Sequence, residues 1–401
     1  MKVALVIERI ETWRGGAETS TMQFARDLAS LGCEVHVVTG TYMPSTPELR
    51  IVPVRVGRLL KGWRTGFFAR RAAALVREGD YDIVHAITPC PVADIYQPRG
   101  GTVPEMLARN RATCPTALRR AFKRIAQWLR FKYHVMGRLE TRLLNRQPPP
   151  VVVAISRYVA DQLRRHYAFD PDRIRTIFNG VDPDVTDAAQ RRQDRQSVRR
   201  QYALADDDLM LLCVAHNFKL KGVGRAIEAL HLLAGGSESL RRDNGRCVLV
   251  VVGRDNPARY VRLADRLGLA DRVIFTGATD RTGAFFHAAD VLVHPTYYDP
   301  CSRVVLEALA AGLPVVTTRF NGAAERIRDG LHGYVVDSPD DVEAIADRLR
   351  RLSDDAHRHE CARRAPAAVE EISMFAHAGR SYELYRAMLS EGTAVRQGES
   401  L

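Results

Sequence analysis

The chain has 401 residues, 46% hydrophobic and 26% charged, a composition that excludes a disordered or collagen-like protein and allows two or three domain cores. Its formal charge of +12, from 59 basic and 47 acidic side chains, favours an anionic partner without naming it. Seven scattered cysteines form no C-x-x-C pair, which argues against a disulfide scaffold or zinc module and for a reducing, cytoplasmic setting. MKVALVIERI enters a strand directly and lacks the marks of a secretory leader. No run of 18 apolar residues occurs, so any membrane contact is expected to be peripheral.

KVALVIE has the length of a buried strand, and helical spacing begins in STMQFARDLASLG after the loop RIETWRGGAET. Gly15 and Gly16 stand at that turn, where missing side chains let a diphosphate or sugar approach backbone N–H groups near a helix start. The spacing is not GxGxxG, so the pair reads either as a ligand loop or as an ordinary tight turn. CEVHVVTG, RIVPVRV and YDIVHAI continue as strands, with a helix around GFFARRAAALVRE before the last. His85 falls at the end of YDIVHAI and Asp94 in the loop beyond it. Asp94 is a candidate to accept a hydrogen bond from an acceptor hydroxyl or to assist its deprotonation. A helix cap or local ion pair is its plainer alternative, as a satisfied near-core imidazole is for His85.

From Thr116 to Leu144 the chain is an amphipathic helical region. Leu118, Ala121, Phe122, Ile125 and Leu129 recur at helix spacing among Arg119, Arg120, Lys123, Arg124, Arg130 and Lys132, with Trp128, Phe131 and Tyr133 added. Such a basic, aromatic segment can touch anionic lipid head groups without spanning the bilayer. Alternatively the stripe packs on a core and the arginines face water. Nucleic acid is not an expected partner, because no reader motif accompanies the charge. QPPP at 147–150 stops the region, VVVAIS is a strand, and Ser156 is placed to cap SRYVADQLRRHY. After RIRTIF, Asn179 and Gly180 make a turn, and a polar segment follows. The expected domain boundary is near residue 182, with Arg199 or Arg200 candidates to face a phosphate from the second domain, or simply surface charges.

The second half restarts with DLMLLCVAHNFKLKGVGRAIEALHLLA, a strand, polar loop and helix with Lys219 and Lys221 at the transition. A lysine there can neutralise charge developing on a departing diphosphate, and Lys221, next to Gly222, is the stronger candidate. RCVLVVVGRD, with Arg254, and RVIFTG add strands, and the alternation calls for a second parallel sheet. Then DVLVHP reads as a buried strand, Val304 to Ala311 as a helix and GLPVVTT as the next strand. The ionisable pair of this unit, Asp299 and Glu307, lies outside a strand's carboxyl end, where open α/β sheets bind ligands.

RGGAE at 14–18, HNFKLKGVGRAIEAL at 216–230 and HPTYYDPCSRVVLEALAAGLPVVTT at 294–318, with RYVADQL and FNGVDP between them, resemble the GT-B retaining glycosyltransferases of family 4. Within that family the likeness is to the lipopolysaccharide core glucosyltransferase I subgroup, and it extends across nearly the full chain. The resemblance implies an α/β GT-B fold of two Rossmann-like domains with parallel sheets facing a central cleft. Residues 1–182 would form the acceptor-binding domain with its basic membrane-facing segment, 183–371 the nucleotide-sugar domain, and 372–401 a helical segment crossing back.

The resemblance also implies metal-independent transfer, without a cofactor, from a nucleotide sugar, UDP-glucose foremost, with retention at the anomeric carbon. The acceptor would be a membrane-tethered, heptose-containing lipopolysaccharide core at the cytoplasmic face of the inner membrane. The family's Glu-x7-Glu signature is here Asp299-x7-Glu307. Glu307 would bind donor ribose hydroxyls and Asp299 would take the position associated with the transferred sugar, with one methylene less reach. Lys221 matches the family's lysine, whereas His216 or a neighbour stands where an arginine is often found, and Arg199 or Arg200 would compensate. Rival readings are same-fold transfer to another glycan or lipid, a UDP-sugar epimerase, and a non-enzymatic module binding an anionic envelope.

Overall fold

The computed structural model describes residues 1–10, 16–41, 44–57, 61–235 and 245–392. The chain divides into two compact units, Met1–Gly180 with the segment from Ile372 on, and Val181–Glu371. The first contains, in turn, β1 (Lys2–Ile7), α1 (Gly16–Ser30), β2 (Glu34–Thr39), β3 (Leu49–Pro53), α2 (Lys61–Glu78), β4 (Ile83–Ala86), β5 (Ile95–Tyr96), α3 (Val103–Ala112), α4 (Ala117–Trp128), α5 (Phe131–Leu144), β6 (Val151–Ala154), α6 (Arg157–Tyr167) and β7 (Ile174–Thr176). Its strands form one parallel sheet in the order β3-β2-β1-β4-β5-β6-β7. Val3 to Val6 and Val152 to Ala154 are fully buried, as continuous apolar runs must be when helices cover both faces of a parallel sheet. Ser156 caps α6 by accepting from Val159 N–H (3.2 Å).

The second unit runs α7 (Ala188–Gln201), β8 (Leu209–Val214), α8 (Val223–Gly235), β9 (Cys247–Val252), α9 (Ala258–Arg266), β10 (Val273–Gly277), α10 (Thr282–Ala288), β11 (Val291–His294), α11 (Arg303–Ala310), β12 (Val315–Thr318), β13 (Gly333–Val336), α12 (Val342–Leu352) and α13 (Asp355–Arg364). Its sheet order is β10-β9-β8-β11-β12-β13, again all parallel. Both orders reverse direction beside the first strand of the unit, the doubly wound arrangement that opens a crevice at the strands' carboxyl ends. In the second unit that switch point lies between β8 and β11.

The last described helix, α14 (Met374–Ser390), belongs to the first unit. Met374, Ala378, Tyr385 and Met388 share one core with Phe24 and Leu28 of α1. Two buried imidazoles tie it down. His377 Nδ1–H donates to the Phe178 carbonyl (2.7 Å) and its Nε2 accepts from Gln97 (3.1 Å), while His85 Nδ1 bonds the Tyr385 hydroxyl (2.6 Å). Burial holds His377 down to about 3, with Arg99 adding to the effect. His85 is thus a core imidazole.

Two expectations change here. The basic region is two helices, broken at Arg130, and its apolar stripe does not pack on the core: Leu118, Phe122, Trp128 and Leu129 are 68–70% exposed. Asp94 is no acceptor base. It precedes β5 at the amino edge of the sheet, where its Oδ2 accepts from Val84 N–H (2.8 Å) and its carbonyl from Val151 N–H (2.9 Å). At 4% exposure it fastens β4, β5 and β6 together, at the end away from a parallel sheet's ligand crevice.

Candidate active site

Lys221 and Asp299 meet at the switch point of the second unit. Lys221 follows β8 in the turn before α8, and Asp299 follows β11 in the loop before α11. Lys221 Nζ donates to Asp299 Oδ2 at 2.5 Å, and approaches the Tyr298 carbonyl at 3.4 Å. The side chains are 8% and 14% exposed, so the pair is almost wholly withdrawn from water. Burial alone would raise the Asp299 carboxyl, but the ammonium and the nearby ring of His294 hold it well below the usual carboxylate range. Asp299 is therefore a carboxylate at neutral pH.

Backbone geometry sets this approach. Tyr297 N–H and the Thr296 hydroxyl both donate to the Leu220 carbonyl (2.8 and 3.2 Å), stitching the β11–α11 loop to the β8–α8 turn. Gly222 has φ +73°, and a Cβ there would fall 2.0 Å from the Pro295 carbonyl oxygen. Only glycine fits. Gly222→Ala is accordingly expected to lower the stability of this unit by more than the ~1–3 kcal/mol of left-handed backbone strain alone, and to cut turnover with it, as thermal unfolding and initial rates measured together would register.

On the other side of Asp299, the Asn321 side chain holds the loop in register. Its Oδ1 accepts from Ser302 N–H and Ala323 N–H (both 3.0 Å) and its amide donates to Thr317 (3.1 Å). Asp299 N–H donates to the Phe320 carbonyl, and its own carbonyl accepts from Gly322 N–H (both 2.9 Å). Ser302, the N-cap of α11, makes no side-chain capping bond, so the first-turn amides of α11 lack that partner. A helix start of this kind favours negative charge. The Lys221–Asp299 pair stands at the same carboxyl end of the sheet.

Glu307 lies one turn inside α11 and pairs with Arg303 (Nε to Oε1, 2.6 Å). Burial pushes its carboxyl up, Arg303 only partly offsetting it. No hydrogen bond or ion pair among the described residues joins Asp299 to Glu307. A group whose folded pKa is raised gives its full stabilising contribution below the unfolded value and loses it as pH rises through the folded one. Glu307→Gln should therefore unfold no earlier than the parent at pH 7, with the difference vanishing below about pH 4 where both carry no charge. Thermal melts at the two pH values check this.

The remaining candidates fall elsewhere. Arg199 is 2% exposed, and its guanidinium donates to the carbonyls of Ala205 (2.8 Å), Asp208 (2.5 Å) and Ala288 (3.0 Å) and contacts Asp290 (3.4 Å). These groups precede β8 and β11, so Arg199 ties the amino edge of the very strands whose carboxyl ends carry Lys221 and Asp299, roughly 20 Å away along a six-residue strand. Arg200, exposed on the same helical turn, shares that edge. Neither compensates for an arginine at the site.

Lys219 borders a cavity of about 320 Å3 with Asp255, Arg259 and Tyr260, beside the carboxyl end of β9. Gly16 opens α1, and Gly15 lies outside the described residues. His216 and Arg254 are exposed in loops after β8 and β9. Among the described residues no cluster of three His, Cys, Asp or Glu side chains is placed to hold a metal.

Two residues at the site were not foreseen. His294, the last residue of β11, is 1% exposed, and among the described residues neither ring nitrogen has a hydrogen-bond partner. Its Nε2 stands 3.9 Å from Asp299 Oδ2, and burial keeps its pKa below the ordinary histidine value. Arg303 also keeps one buried guanidinium nitrogen, Nη1, without a partner among the described residues. A histidine ending an apolar run before Pro295 was the available signal for the first.

Residues 14–185 match the model for Glycosyltransferase Family 4, and residues 194–368 that for Glycosyl transferases group 1. A D-inositol 3-phosphate glycosyltransferase of Acidothermus cellulolyticus is 30% identical over 88% of this chain and 81% of its own. The chain belongs to glycosyltransferase family 4. It is a nucleotide-sugar-dependent glycosyltransferase of GT-B fold. This GT4 enzyme is also similar to the lipopolysaccharide glucosyltransferase WaaG of Escherichia coli, 28% identical over 84% of this chain and 86% of that one. A crystal structure of WaaG, a glycosyltransferase involved in lipopolysaccharide biosynthesis, superposes with TM-score 0.78 at 25% identity, covering 96% of this chain and 99% of the other. The fold is shared as well by Anabaena HepE, crystallised with UDP-glucose, with TM-score 0.71 at 17% identity over 96% and 100%.

Proposed function

We propose that this GT4 enzyme transfers a hexose, glucose from UDP-glucose, to a heptose-containing lipopolysaccharide core, with retention at the anomeric carbon, at the cytoplasmic face of the inner membrane. The buried Lys221–Asp299 pair beside the start of α11 carries the reading. A diphosphate leaving group gains negative charge as the glycosidic bond breaks, and an ammonium already fixed beside a helix N-terminus stabilises that charge without reorganisation. Asp299 takes the transferred sugar and Glu307 the ribose hydroxyls. Lys219 adds charge on the nucleotide side. The similarity to WaaG supports the donor and acceptor, and HepE's UDP-glucose supports the donor class.

In the reaction the acceptor hydroxyl attacks the anomeric carbon on the face from which the diphosphate departs, and the proton passes to the leaving phosphate oxygen. Asp299, already paired with Lys221, serves as a hydrogen-bonding group rather than a nucleophile, and two carboxylates spaced for glycosidase chemistry are not required. Incubation with UDP-glucose and a glucose-deficient core, followed by mass measurement, should give an acceptor-linked hexose. Sugar-nucleotide turnover with no acceptor product would instead mark an epimerase.

The exposed stripe of α4 and its arginines support delivery to an anionic membrane surface. No described helix is long and apolar enough to cross a membrane. Each surface cation contributes about 1 kcal/mol of attraction to anionic lipid. Replacing Arg119, Arg130 and Lys132 by Gln should thus weaken adsorption to phosphatidylglycerol-containing vesicles by about 100-fold, more than it slows turnover of a soluble acceptor. Equal adsorption to neutral and anionic vesicles would remove electrostatic docking.

A further inference from the structure

Between Glu105 and Glu140 the chain carries nine Lys or Arg and no Asp or Glu. Within that stretch α3, α4 and α5 line an open cavity of about 360 Å3, within the usual size of small-molecule sites. Leu107, Ile125, Trp128 and Tyr133 form its apolar walls, and Arg111 and Arg124 supply its charge. Gln127, 8% exposed, accepts from Arg111 Nη1 (2.9 Å) and donates to the Leu107 carbonyl (3.3 Å), which fixes the first guanidinium at the rim. No carboxylate pairs with either arginine among the described residues. Burial, and then the like charge of Arg124, lowers the Arg111 pKa from its ordinary value, so the two cations together are left short of an anion.

Trp128 both lines the cavity and is 68% exposed. Beyond it the apolar surface continues through Leu129 and Phe131 to Trp63 of α2, whose ring centroid lies 4.7 Å from that of Phe131. A polar anion alone would gain nothing from these walls, and a diffuse surface attraction needs no cavity. Two planar guanidinium groups suit the oxygens of one phosphate, and the apolar walls suit a chain attached to it.

We propose that this cavity is a slot for one anionic phospholipid, with its phosphate between Arg111 and Arg124 and the first segment of an acyl chain against Leu107, Ile125, Trp128 and Tyr133. The inference deepens the membrane contact proposed above and rests on it for its biological setting. The slot is a defined site with one occupant, whereas the α4 face is a surface that adsorbs.

Full-length protein carrying Trp13→Phe and Trp63→Phe, which leaves Trp128 as the one tryptophan of the sequence, titrated with monomeric dihexanoyl-phosphatidylglycerol below its micelle concentration, tests this through Trp128 emission. Saturable one-site binding is expected. Arg111→Gln with Arg124→Gln should raise the Kd about tenfold or more. Leu107→Phe, which fills the cavity, leaves every charge and adds no indole, should abolish binding even where the arginine variant fails to fold. Absence of saturation, indifference to both changes, or displacement by inorganic phosphate at equal concentration would overturn the slot. Parallel sedimentation of the parent with phosphatidylcholine vesicles, with and without phosphatidylglycerol, separates the two readings. Vesicle binding without monomer binding removes the slot and leaves the surface contact. Monomer binding without vesicle binding supports the slot and removes the contact.

Discussion

Lys221→Met lowers kcat/KM for the donor by about 100- to 1,000-fold, the usual effect of removing one preorganised charge from a developing anion. Methionine keeps the length of the side chain, so the loss reports charge rather than a cavity. The same change strands Asp299, 14% exposed, as a carboxylate without its ammonium. Breaking a buried pair from one side is destabilising by about 3–5 kcal/mol, so the thermal midpoint should fall as well. The double variant Lys221→Met with Asp299→Asn removes the stranded charge and should recover much of the stability while activity stays low. Recovery of both together would mean that the pair is only structural.

Asp299→Asn is the second large effect. It keeps the shape and removes the charge that Lys221 faces at 2.5 Å, and donor turnover should fall about 100-fold. Asp299→Glu restores the carboxylate of the common family signature and should stay within about tenfold of the parent. Its extra methylene has to fit between Lys221 and His294, the latter 3.9 Å away, so the change should appear as altered preference among donor sugars. The pH dependence of stability carries its own sign. Because the folded carboxyl is held below its unfolded value, its contribution is complete above the ordinary aspartate range near pH 4 and disappears as pH falls through the folded value. Urea melts of parent and Asp299→Asn should therefore differ most at neutral pH and converge in acid.

The residues that were legible in advance sit where apolar runs end in polar loops. Lys221 and Asp299 each follow a strand with four or five buried residues, and parallel sheets place such positions at one edge whatever the rest of the fold. Asp94 was misplaced because β5 has only two residues, Ile95 and Tyr96. A strand that short has no periodicity, so whether Asp94 enters or leaves it could not be read. Arg199 was misplaced for another reason. A helical arginine has the same pattern whether it faces water or donates inward to carbonyls, and only the loop before β8, folded back on α7, decides between them. His294 was absorbed into the apolar run, and its significance lies in what its ring lacks. The break between α4 and α5 has no Pro or Gly to announce it.

Transfer from the nucleotide sugar to a membrane-tethered glycan should keep the anomeric configuration of the donor. One measurement bears on it most directly: NMR of the product formed by the full chain from UDP-glucose and a glucose-deficient heptose core. The expected product carries one added hexose whose anomeric configuration matches that of the donor, with UDP released. An inverted anomer, or consumption of UDP-glucose with no hexose on the acceptor, would contradict it.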